Sequence, residues 1–233
     1  MRLLFNEYPE IMAGLSERSD GSMVWWNRLP VDEAVRGNRE RYFRGLGISP
    51  ERVVAGGLVS GVRVAVVSEK EAGEYLLNTD ALLTNIPGLF LTVTASDCLP
   101  VYFYDMKMRC LGIAHAGWRG LVNGILEKVV FEFNNSFGSE AADLRIIIGP
   151  HIKSCHYEVG EDVAAQFSGQ NLERRNGRIY VKLADEVESR LRALGVKHIS
   201  VSPVCTYEDK RFYSARRDKS EPLKGMAAYL GAT

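Results

Sequence analysis

Histidine is scarce in this chain. Only His115, His151, His156 and His198 occur in 233 residues, so imidazole chemistry has few places to reside. Cysteine is equally sparse. Cys98, Cys110, Cys155 and Cys205 are widely spaced and form no CxxC pair. That pattern reads as reduced thiols in a cytoplasmic protein rather than as a disulfide framework. Net charge is also missing, because 29 basic residues balance 29 acidic ones. Nothing in this balance points to a nucleic acid or a membrane surface as partner. No apolar run is long enough to span a bilayer, and Met1-Arg2-Leu3-Leu4-Phe5 meets Asn6 and Glu7 too early for a signal peptide. There is no internal repeat, no low-complexity linker and no marked boundary. Residues 1–233 are therefore read as a single domain, a size that can bury a large core.

What the chain does have is one dense stretch, Thr94-Ala95-Ser96-Asp97-Cys98-Leu99-Pro100 followed by His115-Ala116-Gly117-Trp118-Arg119-Gly120. Val101 to Ala114 between them is mostly apolar, with a polar break at Asp105–Arg109, which predicts two strands joined by a turn. Cys98 enters the first strand and His115 leaves the second. A hairpin folded at Asp105–Arg109 would bring a thiol and an imidazole into one small volume.

Elsewhere the periodicity predicts a helix over Asp32–Gly47, strands at Arg52–Leu58 and Val62–Val67 around Ser60-Gly61, and strands at Thr79–Thr84 and Leu89–Thr94 around Pro87-Gly88. Leu3–Phe5 and Met23–Trp26 read as short strands, and Ser16–Ser22 as loop. A long helix is expected over Arg119–Phe137, with Leu121, Val122, Ile125, Val129 and Phe133 as its apolar stripe. Its first turn would lie beside His115 and favour an anion. Arg145–Ile148 reads as a buried strand, Val159–Phe167 and Leu183–Leu194 as helices, and His198–Val204 as a strand. Strands outnumber helices in the first half without alternating with them, which favours α+β over a doubly wound sheet.

Several motifs together resemble the YfiH-like family, long labelled polyphenol oxidase or laccase-domain proteins. They are Thr79-Asp80-Ala81-Leu82-Leu83-Thr84, Ser96-Asp97-Cys98-Leu99-Pro100-Val101 and His115-Ala116-Gly117-Trp118-Arg119-Gly120. Asn38-Arg39, Ile148-Gly149-Pro150, Tyr157-Glu158-Val159-Gly160, Cys205-Thr206 and Phe212-Tyr213-Ser214-Ala215-Arg216-Arg217-Asp218 add to the likeness. The resemblance implies a layered α/β/β/α sandwich of the α+β class, related to the fold of a bacterial toxin deamidase. It also implies a purine nucleoside phosphorylase acting on adenosine, inosine, guanosine and methylthioadenosine, with adenosine deamination as a second activity. Purine nucleosides and phosphate are then the partners, and homo-oligomerisation stays open.

The family holds zinc with a His–Cys–His set. Cys98 and His115 match its second and third ligands. The first lies in a Gln-Val-His-Gly pattern, and here the matching residues are Leu58-Val59-Ser60-Gly61, with Ser60 in the histidine's place. A neutral hydroxyl is a poor zinc ligand, and zinc ordinarily takes at least three protein ligands. Zinc is thus an expected but weakened cofactor. His151, Cys155 and His156, on the loop after Gly149-Pro150, are rescue ligands to be weighed against simple loop packing. Copper is not expected, because four histidines cannot build the imidazole-rich centres of a multicopper oxidase.

The remaining candidates carry a plain alternative each. Arg119, Arg216 and Arg217 can hold phosphate or be surface charges. Trp118 can stack on a purine or belong to the core. Asp97 can accept a proton, orient a neighbour or tie off a strand end. Cys110, in mid-strand, reads as an inert core residue. The leading reading is a phosphorylase and deaminase, with Cys98 and His115 at a metal and Arg119 at phosphate. A metal-free Cys98–His115 thiol hydrolase or deamidase is the second. A non-catalytic purine-binding relative is the third.

Overall fold

The computed structural model describes residues 2–3, 7–25 and 32–233. Its strands are β1 (Arg2–Leu3), β2 (Ile11–Leu15), β3 (Val53–Gly57), β4 (Val64–Val66), β5 (Tyr75–Leu77), β6 (Ala81–Thr84), β7 (Phe90–Ala95), β8 (Leu99–Asp105), β9 (Cys110–Ala116), β10 (Arg145–Ile148), β11 (Glu158–Val159), β12 (Leu172–Arg175), β13 (Arg178–Val181), β14 (His198–Val201) and β15 (Met226–Ala232). The helices are α1 (Glu33–Gly45), α2 (Trp118–Val122), α3 (Ile125–Phe137), α4 (Glu161–Ala164), α5 (Leu183–Ala193) and α6 (Ala215–Asp218).

Two six-stranded sheets form the middle layers. One runs β1-β2-β15-β7-β3-β5 and the other β14-β10-β8-β9-β6-β4. Every residue of β8 and β9 is buried. Strands covered on both faces lose polar alternation and become continuous apolar runs, which explains the sequence between Cys98 and His115. One face of this second sheet packs on the first through Leu82, Tyr102, Tyr104 and Ile113 against Leu15, Leu91, Val93 and Leu230. Its other face receives Ile125, Val129 and Phe133 of α3 and Val187 and Leu191 of α5. Helix α1 closes the far side, with Phe43 against Phe90 and Tyr229. The layers are therefore α/β/β/α. Asp32 caps α1 by accepting from the N–H groups of Ala34 and Val35 at 2.9 and 3.2 Å, a cap worth about 1 kcal/mol.

The hairpin forms where the sequence places it. Asp105 Oδ1 accepts from the N–H groups of Lys107 and Met108 at 2.8 and 3.2 Å, and Arg109 closes the turn at φ +50°. Cys110 is buried at its foot, and burial pushes its thiol up to about 12.

Other expectations need correction. The helix read over Arg119–Phe137 is two helices, because Gly124 sits at φ +88° between α2 and α3 and breaks the run. The helix read over Val159–Phe167 shrinks to α4. Glu158 and Val159 instead pair with Tyr180 and Ile179, so a small sheet β11-β13-β12 claims them. The strand at His198 ends at Val201. Met23–Val24–Trp25 has no regular structure, while Leu4, Phe5 and Trp26 of the two N-terminal strand readings lie outside the described residues.

Candidate active site

Register sets the site. Pro100 lies opposite His115 and Leu99 opposite Ala116, so Cys98 comes level with Gly117. A Cβ on Gly117 would stand 3.2 Å from Cys98 Sγ and 3.4 Å from His115 Cε1. Both reactive side chains therefore lean over this glycine, and a larger residue would intrude between them. A cavity of about 310 Å³ is lined by Cys98 and His115 together with Ser60, Ser96, Trp25 and Leu223. The hairpin expectation is thus met in space, and Ser60 faces the same pocket. Ser60 has φ +55° and Asp97 has φ +78°, a left-handed backbone at two non-glycine residues of one site.

Asp80 belongs to this site although residue patterns alone did not nominate it. Antiparallel pairing of β6 with β9 puts Ala81 opposite Ala114, which carries Asp80 to His115. Asp80 Oδ1 lies 3.2 Å from His115 Nδ1. Its Oδ2 accepts from the N–H groups of Gly61 and Val59 at 2.9 and 3.3 Å, and this pins the turn that carries Ser60. With Nδ1 engaged, Nε2 is the imidazole nitrogen left for the pocket.

The electrostatics follow from this line of groups. Burial alone would lower the His115 pKa. The charge of Cys98, the hydrogen bond to Asp80 and that to Cys98 outweigh it and raise the imidazole to about 10. Burial would likewise raise the Asp80 carboxyl. Hydrogen bonds from His115, Gly61 and Val59 overcome this and hold it below its ordinary value. Carboxylate, imidazole and thiol thus stand in series, an arrangement suited to moving a proton at His115 Nε2 or to activating Cys98.

The other candidates separate clearly. Asp97 is buried and engaged by the loops beside Cys98. Its carboxylate accepts from Thr206 Oγ1 at 2.6 Å, Ser214 Oγ at 2.9 Å and the Arg216 N–H at 2.8 Å. It therefore fixes the loops beside Cys98 and has no free oxygen for proton transfer. Arg217 donates to the carbonyls of Thr206, Tyr207 and Phe212 and pairs with Asp218. Its phosphate role is thereby corrected to a structural one. Trp118 packs against the helix-covered core and carries the Arg119 guanidinium over its ring at 4.4 Å, so that face is not open to a purine. Arg119 itself is exposed. Arg216 donates to the Glu158 carbonyl at 2.7 Å and lies over the Tyr157 ring. Tyr157 senses Cys98, Arg216 and Arg119 electrostatically, and burial raises its hydroxyl pKa. Tyr157 therefore lies within electrostatic reach of the thiol and of both arginines. It stood in a quoted motif, but spacing gave no hint of its place.

The rescue ligands do not reach Cys98. His151 is buried with Nδ1 on the Gly149 carbonyl at 2.8 Å. Cys155 and His156 group instead with Cys205, the one three-ligand cluster of His, Cys, Asp or Glu found among the described residues.

Comparison with known proteins agrees with this architecture. Residues 29–230 match the family model described as multi-copper polyphenol oxidoreductase laccase. A purine nucleoside phosphorylase of Deinococcus radiodurans is 36% identical over 227 residues, 96% of this chain and 83% of that protein. One of Bacteroides thetaiotaomicron is 32% identical over 221 residues, 85% of this chain and 82% of that protein. Among solved structures, the hypothetical protein YfiH of Bacillus licheniformis superposes with a TM-score of 0.89 at 28% identity, covering 100% of this chain and 96% of the other. YlmD of Geobacillus stearothermophilus gives 0.87 at 27% identity, covering 97% and 93%.

Proposed function

Since the chain belongs to the multi-copper polyphenol oxidoreductase laccase family, the YfiH-like proteins, we propose that it is a purine nucleoside phosphorylase working through Cys98, His115 and Asp80. The observation that carries this reading is a pocket holding Cys98 and His115, backed by Asp80, in a chain similar over most of its length to proteins named for that activity. Adenosine, inosine, guanosine and methylthioadenosine are the proposed substrates, with phosphate as co-substrate. The proposed setting is the cytoplasm.

The donor set does not fit the family's zinc. Only Cys98 and His115 offer ligands here, Ser60 replaces the third, and Asp80 spends its carboxylate on His115 Nδ1 and on the N–H groups of Gly61 and Val59. The chain's own residues therefore carry the chemistry. A phosphate oxygen bonds to the anomeric carbon, the bond from that carbon to the purine nitrogen breaks, and its electron pair goes to the base. His115, kept protonated by Asp80 and Cys98, delivers a proton from Nε2 to the departing purine. Arg119 and Arg216, whose charges both reach Tyr157, hold the phosphate. Ser96 also lines the pocket, and its buried Oγ has no hydrogen-bond partner among the described residues. Adenosine deamination, which needs an activated hydroxide, loses its metal support and is proposed to be the weaker activity.

The test supplies adenosine or inosine with and without phosphate and measures free base and ribose 1-phosphate. Base release that requires phosphate and disappears in His115→Ala supports the reading. Release independent of phosphate, or none, overturns it. A second reading is favoured by one observation, the carboxylate–imidazole–thiol series with serine at the ligand position. On it, Cys98 attacks an amide as nucleophile and His115 acts as its base. Trapping of an acyl group on Cys98 would select that reading.

A further inference from the structure

Away from the pocket, three side chains meet on neighbouring loops. Cys155 Sγ and Cys205 Sγ lie 3.8 Å apart, and His156 Nδ1 is 3.1 Å from Cys155 Sγ. All three ligand atoms fall within 4.8 Å of one another. A tetrahedral zinc with Zn–S bonds of about 2.3 Å separates two sulfurs by about 3.8 Å, and a sulfur and a nitrogen by about 3.5 Å. The observed spacings match the first value and approach the second. A disulfide would need about 2.05 Å, so the two sulfurs are far from bonded.

The surroundings suit a cation. The His156 ring stacks on Tyr207 with centroids 4.0 Å apart and planes 15° from parallel, which fixes its orientation. Cys205 Sγ is buried and accepts from the Lys153 N–H at 3.4 Å. Two thiols and an imidazole are the donors a zinc-class ion prefers over magnesium or calcium.

We infer that Cys155, His156 and Cys205 form a structural zinc site distinct from the Cys98–His115 pocket. Binding forms two Zn–S bonds and one Zn–N bond, and the two thiol protons pass to solvent. Water or Glu208, whose carboxylate lies 3.8 Å from His156 Nδ1, completes the coordination. The ion joins the loop around Ile152–Tyr157 to the Cys205–Tyr207 segment. Both segments hold Asp97, through the Ile152 N–H on its carbonyl at 3.0 Å and Thr206 Oγ1 on its carboxylate. Zinc here would therefore stiffen the backbone next to Cys98.

The experiment loads the full chain, reduced and stripped of metal, with Co²⁺ and separately titrates Zn²⁺ against a chromogenic chelator. Wild type should bind one equivalent tightly and show a thiolate-to-cobalt charge-transfer band. Cys155→Ser, at an exposed position, should weaken the band and cut zinc affinity by more than the ~10- to 100-fold of an outer-sphere change. His156→Ala should do the same, while Cys98→Ser and His115→Ala leave the stoichiometry and band unchanged. No cobalt–thiolate band in wild type overturns the proposal. So does a band left at full intensity in Cys155→Ser, or one that vanishes in Cys98→Ser. None of these readouts depends on phosphorolysis.

Discussion

Asp80 holds His115 at two points. Its carboxylate lies 3.2 Å from Nδ1, and its main-chain carbonyl accepts the His115 N–H at 2.8 Å. The first contact sets the tautomer and charge of the ring, and the second fixes the strand that carries it. Because the other carboxylate oxygen grips the turn around Ser60, one buried side chain aligns both walls of the pocket.

Removing the charge of Asp80 tests its link to His115. Asp80→Asn should lower phosphorolysis by about 10²-fold, the lower end of general acid catalysis. It should also move the alkaline limb of the pH–rate profile to lower pH, since Nδ1 loses its anionic partner. A fall in rate with an unmoved limb would mean that Asp80 only supports the fold.

Stability should depend on pH in a direction fixed by His115. Its folded pKa, about 10, lies above the ordinary value of about 6.5. The protonated ring therefore stabilises the fold fully below about pH 6.5 and progressively less as pH rises through about 10. Urea midpoints should fall across that window in wild type and fall less in His115→Gln. Asp80 acts oppositely, because its lowered pKa gives stability that is lost as pH falls through the folded value.

The two arginine roles can be separated by paired variants. Arg119→Ala should raise KM for phosphate with little change in unfolding, as its guanidinium is exposed. Arg217→Ala should instead cost about 2 kcal/mol of stability, because three carbonyls and Asp218 lose a charged donor. Phosphate titrations and urea melts on both proteins check the contrast.

Ser60→His should create a zinc site where the wild-type donor set is short by one ligand. Affinity at Cys98–His115 should rise by at least roughly the 10- to 100-fold that outer-sphere changes produce. Chelator competition in a Cys155→Ser background, which silences the second cluster, reads this site alone. Equal affinity with and without the new histidine would mean that the side chain at position 60 does not reach Cys98.

Much of this was legible before any coordinates. The Cys98–His115 hairpin, α1, β10 and α5 follow from period and turn chemistry, which act over a few residues. The hairpin of β12 and β13 also had its signal in Asn176-Gly177, whose φ angles of +51° and +73° suit a tight turn. Glu173, Arg174, Arg175 and Arg178 around it mask that signal, because charged flanks show no apolar alternation. The break at Gly124 was masked in a similar way, by an apolar stripe that runs on across the interruption.

By itself, the sequence determined the α+β class, the thiol and imidazole at the two ends of one hairpin, and, through the family resemblance, the expectation that Ser60 stands in a ligand's place. Each of these depends on local pattern or on a motif contiguous in the chain. Only the tertiary structure decided that Asp80 meets His115, that Asp97 and Arg217 serve the loops, and that Cys155 and His156 meet Cys205. Those pairings span 35, 109, 11 and 50 residues of chain at Asp80–His115, Asp97–Thr206, Arg217–Thr206 and Cys155–Cys205. They are set by strand register and by loops docking on a finished sheet. A carboxylate or thiol carries no mark in the sequence of the partner that packing will bring to it.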